Sequence, residues 1–147
     1  MITYTNRRIT YRENLNIIGE IILKDDESII AEKIHIIDIS YDGIQVVFSD
    51  NDFLFKYLEN IENENSEIAV QFKYKNKEYF FKHTINWIRL HDLGEKSFYV
   101  LTSLNYKDKD FFKEDLLNLI YILQLQNLYF GKSVKKKEMK KNGLQSV

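Results

Sequence analysis

Three of the chain's four arginines, Arg7, Arg8 and Arg12, fall within six residues just ahead of the first apolar run. A guanidinium holds phosphate oxygens bidentately, reads the acceptor edge of guanine and stacks on a purine face, all beyond what an ammonium group does. Elsewhere the chain strongly prefers lysine, so this local choice points to an anion that also carries a planar base. A second cluster, Asp38-Ile39-Ser40-Tyr41-Asp42-Gly43, gathers a carboxylate, a hydroxyl and a glycine at one corner. In an extended segment Asp38 and Ser40 project to the same side, so the carboxylate can accept the N1–H and N2–H₂ donors of a guanine while Ser40 adds a weaker hydrogen bond. Gly43 permits the backbone turn and the close approach of a ligand.

Each cluster has an ordinary reading beside the chemical one. An Asx or Ser turn closing a hairpin uses the same residues, and a D/N-x-S-x-x-G match arises by chance in roughly one chain in ten of this size. An arginine pair at i, i+4 is less specific still. The combination is rarer than either: both occur in this order, both at strand boundaries, about 25 residues apart.

Catalytic chemistry has little support. The histidines are His35, His83 and His91, and none stands in a metal-ligand or triad pattern. His35 and His83 fall in strand-like stretches, where they are expected as ordinary face residues. With no cysteine, thiolate metal sites, cysteine nucleophiles and disulfides are excluded. No phosphate loop or dinucleotide fingerprint is present. The expectation is a protein that is not an enzyme, with no metal and no cofactor.

The elements that must position these residues are mostly strands. From Leu15 to Leu104 the apolar residues come in short runs rich in Ile, Val, Phe and Tyr, broken by polar turns such as Lys24 to Ser28 and Lys75-Asn76-Lys77. This predicts strands at about 15–24, 31–39, 43–49, 66–75, 78–91 and 96–105, and their spacing suits a small antiparallel barrel. Between them, Phe53, Leu54, Tyr57, Leu58 and Ile61 have helical spacing, so a short helix is expected over 51–62. After Lys107, residues Phe112, Leu116, Leu119, Ile120 and Leu123 form one helical face, with Asp108 as N-cap and Gly131 as stop signal. The fold class is therefore mainly β, a six-stranded antiparallel barrel with a short inserted helix and a long C-terminal helix. That last helix also carries Leu117, Tyr121, Leu125 and Leu128, a wider apolar surface than one stripe. Either a deep groove buries both stripes or the excess meets a second subunit, which makes a homodimer one expectation.

The chain of 147 residues, 44% hydrophobic and 14% aromatic, is sized for one domain with a core of its own. The division expected is a domain over 1–131, comprising an arginine-bearing segment 1–13, a barrel 14–106 and a helix 108–130, followed by a disordered basic tail over 132–147. Net charge is −1, but residues 1–12 carry +3 and residues 132–147 carry +5, leaving −9 for the body. No signal peptide is recognisable and no run of about 18 uncharged apolar residues occurs, so the expectation is a soluble cytoplasmic protein with no membrane span.

Taken together, Arg8-x-x-x-Arg12 and Asp38-x-Ser40-x-x-Gly43 resemble the paired signature of the PilZ family, R-x-x-x-R before the first barrel strand and D/N-x-S-x-x-G between later strands. All five positions match, and the resemblance embraces roughly residues 6–130. It implies a receptor for cyclic di-GMP, in which Arg8 and Arg12 clasp phosphates and guanine faces, Asp38 and Ser40 read a guanine edge, and Gly43 shapes the pocket. Arg7, a basic residue directly before the motif, implies two intercalated ligand molecules rather than one. The arginine segment is expected to become ordered around the ligand and signal to a partner protein of unknown identity, in motility, adhesion or secretion. One departure is the last strand, where Phe98 to Leu104 lacks the glycine of the family's G-[IV]-x-F pattern. The rival readings are a nucleic-acid-binding protein, using the tail and Arg7-Arg8 against phosphates, and a ligand-free adaptor of the same fold.

Overall fold

The computed structural model describes residues 12–25, 27–62, 64 and 66–127. Six strands follow in chain order: β1 (Glu13–Asp25), β2 (Ser28–Ile39), β3 (Gly43–Ser49), β4 (Ile68–Tyr74), β5 (Lys77–Gly94) and β6 (Ser97–Tyr106). All pairings are antiparallel, and the order β1-β2-β3-β6-β5-β4 closes on itself as a barrel. The expected strands lie within a few residues of those observed.

Alternation explains the closure. Ile21 and Leu23 of β1, Ile34 and Ile36 of β2, Ile44, Val46 and Phe48 of β3, Val70 and Phe72 of β4, and Tyr79 and Phe81 of β5 are buried, with the intervening side chains turned outward. Closure depends on a short seam where β1 meets β4 over Glu20↔Gln71, Ile21↔Val70 and Ile22↔Ala69. Gly19 lets the strands approach there, because a Cβ would sit 2.8 Å from the Gln71 carbonyl oxygen and 2.8 Å from Ile36 Cδ1.

The inserted helix α1 (Asp52–Ile61) buries Leu54 and Leu58, and Asn51 caps it by accepting the Leu54 N–H at 3.0 Å. After β6 the chain makes a 3₁₀ turn, Lys109–Phe111, then the helix α2, described over 113–127. Its residues Leu116, Leu119 and Leu123 join the barrel core. Lys77 pairs with Asp115 at 3.0 Å, the Tyr74 hydroxyl donates to Gln126, and Asn127 donates to Glu13 at 3.2 Å.

Three expectations need correction. Asp108 does not cap α2: it is left-handed (φ 56°), makes no side-chain capping bond, and precedes the 3₁₀ turn instead. Leu117, Tyr121, Ile122 and Leu125 are exposed, so no deep groove buries the second stripe within the described residues. His83 is not a face residue; it is fully buried on the inner side of β5, in line with Tyr79 and Phe81. Leu128, Gly131 and the tail 132–147 lie outside the described residues, and among those described no helix is long and apolar enough to cross a membrane.

Candidate functional site

Two breaks in register build the site. Along β2, Ile34 and Ile36 point inward, and uninterrupted alternation would send Asp38 into the core after them. A bulge between Ile36 and Asp38 prevents this: Ile36 faces Val46, but Asp38 faces Gln45 and Ile39 faces Ile44. Val46 and Ile44 are core residues, so the slip sends Ile39 inward and Asp38 to the outer side. β1 carries a matching irregularity between Asn14 and Ile17, with Asn16 at φ 49°, which sets Asn14 opposite Asp38. Asn14, Asp38, Gln45, Ser103 and Trp87 thus form one cross-strand row over five strands.

Arg12, immediately before β1, reaches this row. Its Nη1 donates to Asp38 Oδ1 at 2.8 Å, joining the two sequence clusters in one ion pair. Both side chains are largely shielded, at 19% and 11% exposure, so the pair is less screened by solvent than a surface salt bridge. Arg12 Nε is buried without a hydrogen-bond partner among the described residues. A carboxylate offers lone pairs on both oxygens, so one guanidinium contact does not exhaust Asp38.

The corner after β2 is built by Ser40. Its Oγ accepts the N–H of Asp42 at 3.1 Å and of Gly43 at 3.3 Å and donates to the Gly43 carbonyl, while the Ser40 N–H donates to the same carbonyl at 2.9 Å. The serine hydroxyl is occupied in shaping the turn. Gly43 is required by packing: a Cβ there would lie 2.0 Å from the Leu104 carbonyl oxygen of β6.

Beneath the corner, Tyr106 donates its hydroxyl to the Ser40 carbonyl at 2.7 Å. Burial raises its pKa well above 10, with Arg12 pulling the other way and Asp42 and Asp38 adding to the rise, so it stays a donor. His83 packs on Tyr106 with ring centroids 5.1 Å apart, and burial lowers its pKa to about 3, so it is neutral. Lys109 completes the surround, its Nζ 3.7 Å from the centre of the Tyr41 ring and 2.9 Å from the Tyr41 carbonyl oxygen.

Of the residues singled out in the sequence, Arg12, Asp38, Ser40 and Gly43 come together; Arg7 and Arg8 lie outside the described residues. Sequence reasoning missed Gln45, Ser103, Trp87, Tyr106 and Lys109. Gln45, Ser103 and Trp87 are aligned by register between strands, which alternation within one strand does not reveal, and Tyr106 and Lys109 reach the corner only through the fold. Trp87 carries Arg89 over its ring at 4.2 Å.

No protein-family model matches the chain, and a search of curated proteins finds no match. Solved structures do match. The PilZ domain of YcgR from Escherichia coli, solved with c-di-GMP, superposes with a TM-score of 0.60 at 14% identity, covering 86% of this chain and 98% of that one. MrkH of K. pneumonia, solved as a c-di-GMP complex, gives 0.53 at 15% identity over 82% of this chain, which spans 56% of MrkH. The fold is PilZ-like.

Proposed function

We propose that the protein is a non-enzymatic receptor for cyclic di-GMP. The observation that carries this reading is the Arg12–Asp38 pair: two clusters 26 residues apart in sequence meet at 2.8 Å on the outer side of the barrel, because a bulge turns Asp38 away from the core. That juxtaposes a phosphate and purine binder with an acceptor for guanine N–H donors. The fold likeness to the YcgR domain, whose structure contains c-di-GMP, supports the same ligand.

In this reading Arg12 and Arg8 hold phosphate and guanine faces, Asp38 takes the guanine edge, and Ser40 and Gly43 keep the corner in shape. Arg7 favours two intercalated ligand molecules. The segment carrying Arg7 and Arg8 takes its place against the ligand, and the altered surface is what a partner protein reads. The exposed stripe of Leu117, Tyr121 and Leu125 is available to such a partner or to a second copy of the chain. The nucleic-acid alternative rests on Arg7, Arg8 and residues 132–147, all outside the described residues.

Titration calorimetry tests the reading. Saturable binding of cyclic di-GMP, with a stoichiometry of one or two and no binding of GMP at equal concentration, is the expected result. Absence of heat up to high micromolar ligand would overturn it.

A further inference from the structure

We propose that Lys109 is a third cationic contact for the bound dinucleotide, held ready by Tyr41 and supplied from the segment that leads into α2. The inference rests on the cyclic di-GMP reading and adds to it a residue that neither sequence cluster contains.

Lys109 stands apart from Arg12, which precedes β1, and from Asp38 of β2, in the 3₁₀ turn between β6 and α2. Its position is nonetheless fixed to the same corner. Tyr106 links the two: its hydroxyl bonds the Ser40 carbonyl, its N–H faces the Asp42 carbonyl at 3.4 Å, and Lys109 Nζ lies 5.9 Å from its ring centre. Tyr41, between Ser40 and Asp42, holds the lysine by ring face and carbonyl together.

The way Lys109 is held distinguishes it from its neighbours. Among the described residues, Lys77, Lys82 and Lys107 pair with carboxylates. Lys109 is held by a π face and one carbonyl oxygen, contacts that orient an ammonium, and it pairs with no carboxylate among the described residues. An ammonium has three N–H donors, and the Tyr41 carbonyl takes one. The side chain is half-buried, so the remaining charge is less screened than that of a surface lysine. A partly desolvated, oriented cation without a carboxylate partner among the described residues, on the corner that already carries Arg12, fits a second phosphate of the ligand.

The test is calorimetry of cyclic di-GMP with Lys109→Met, Lys109→Arg, Lys113→Met and Arg12→Ala, alongside the unaltered protein, at low salt and at about 1 M salt. Lys113 is an exposed lysine one helical turn further on and serves as the charge control. The expected result is a loss of about ten-fold or more in affinity for Lys109→Met at low salt, as for one charge-assisted hydrogen bond. The loss should shrink at high salt, be largely restored in Lys109→Arg and be absent in Lys113→Met. A lysine that merely props the turn would shift the melting temperature but leave the salt dependence of binding unchanged, and that outcome overturns the inference. So does an equal loss in Lys113→Met, which would mean a long-range charge effect. Binding that fails in Arg12→Ala yet persists unaltered in Lys109→Met removes the inference and leaves the receptor reading standing. No binding by the unaltered protein removes both.

Discussion

The β4–β5 hairpin and the β1–β2 end of the barrel are made from the same kinds of residue, yet they behave differently. From Ile68↔His83 to Tyr74↔Lys77 the hairpin keeps its register without a break, and Phe72, Tyr79 and Phe81 stack as one aromatic cluster with centroids 5.2 to 5.9 Å apart. The β1–β2 end breaks register in both of its strands, or against both neighbours of β2, within a few residues of Asp38. Regular pairing commits every second side chain to the core and turns the others to the outer face. A one-residue slip gives up a ladder position, and in exchange a carboxylate is shielded, paired and turned outward. In the proposed reading, stability and recognition fall to different ends of one sheet.

Four experiments can break or sharpen that division. Phe72→Ala should act on stability alone: chemical denaturation is expected to show a loss of about 3–5 kcal/mol, while the fraction that remains folded binds ligand with unchanged affinity. Arg12→Ala should do the reverse, weakening ligand binding by about 100-fold in calorimetry at a cost of about 1–2 kcal/mol in unfolding free energy. If both variants lost stability and affinity together, the two ends would be one energetic unit.

The third experiment is a pH series. His83 titrates near 6.5 when unfolded but only at about 3 when folded, so between those values the unfolded chain binds the extra proton. Stability should therefore fall as pH drops below about 6.5, approaching about 1.4 kcal/mol per pH unit, until about pH 3. At pH 5 the loss from this group is about 2 kcal/mol relative to pH 7, and His83→Phe should flatten that limb of the unfolding curve. The smallest effect is expected from Asn51→Ala, which removes the α1 cap: about 1 kcal/mol of stability by thermal unfolding, with no change in ligand affinity.

The regular parts of the molecule were legible in the sequence and the irregular ones were not. Alternation located all six strands because a barrel buries every second side chain, and Tyr79, Phe81 and His83 at i, i+2 and i+4 even carried the signal that His83 points inward. The bulge at Ile37 left no such mark: Ile36-Ile37-Asp38-Ile39 is compatible with either register, and the choice is made by what β3 offers opposite. Asp108 had the right side chain for a cap, but its left-handed backbone serves the 3₁₀ turn. In the site, Arg12, Asp38, Ser40 and Gly43 could be picked out by type and spacing. Their roles divided differently, since the Ser40 hydroxyl is taken up by its own turn and Gly43 answers to the β6 backbone. Lys109 and Tyr106 come from the far end of the chain and meet the corner only through folding.

The β1–β4 seam has a bearing on how the barrel comes together. Its three residue pairs join segments some fifty positions apart in sequence, whereas the β1–β2 and β4–β5 hairpins close over short turns. Loop-closure entropy favours the hairpins first, and so few long-range pairs repay little until the rest of the sheet is in place. Sealing the barrel should be a late event in folding, and the amide hydrogens of Glu20 to Ile22 and Ala69 to Gln71 among the first of the inner sheet to exchange when it breathes.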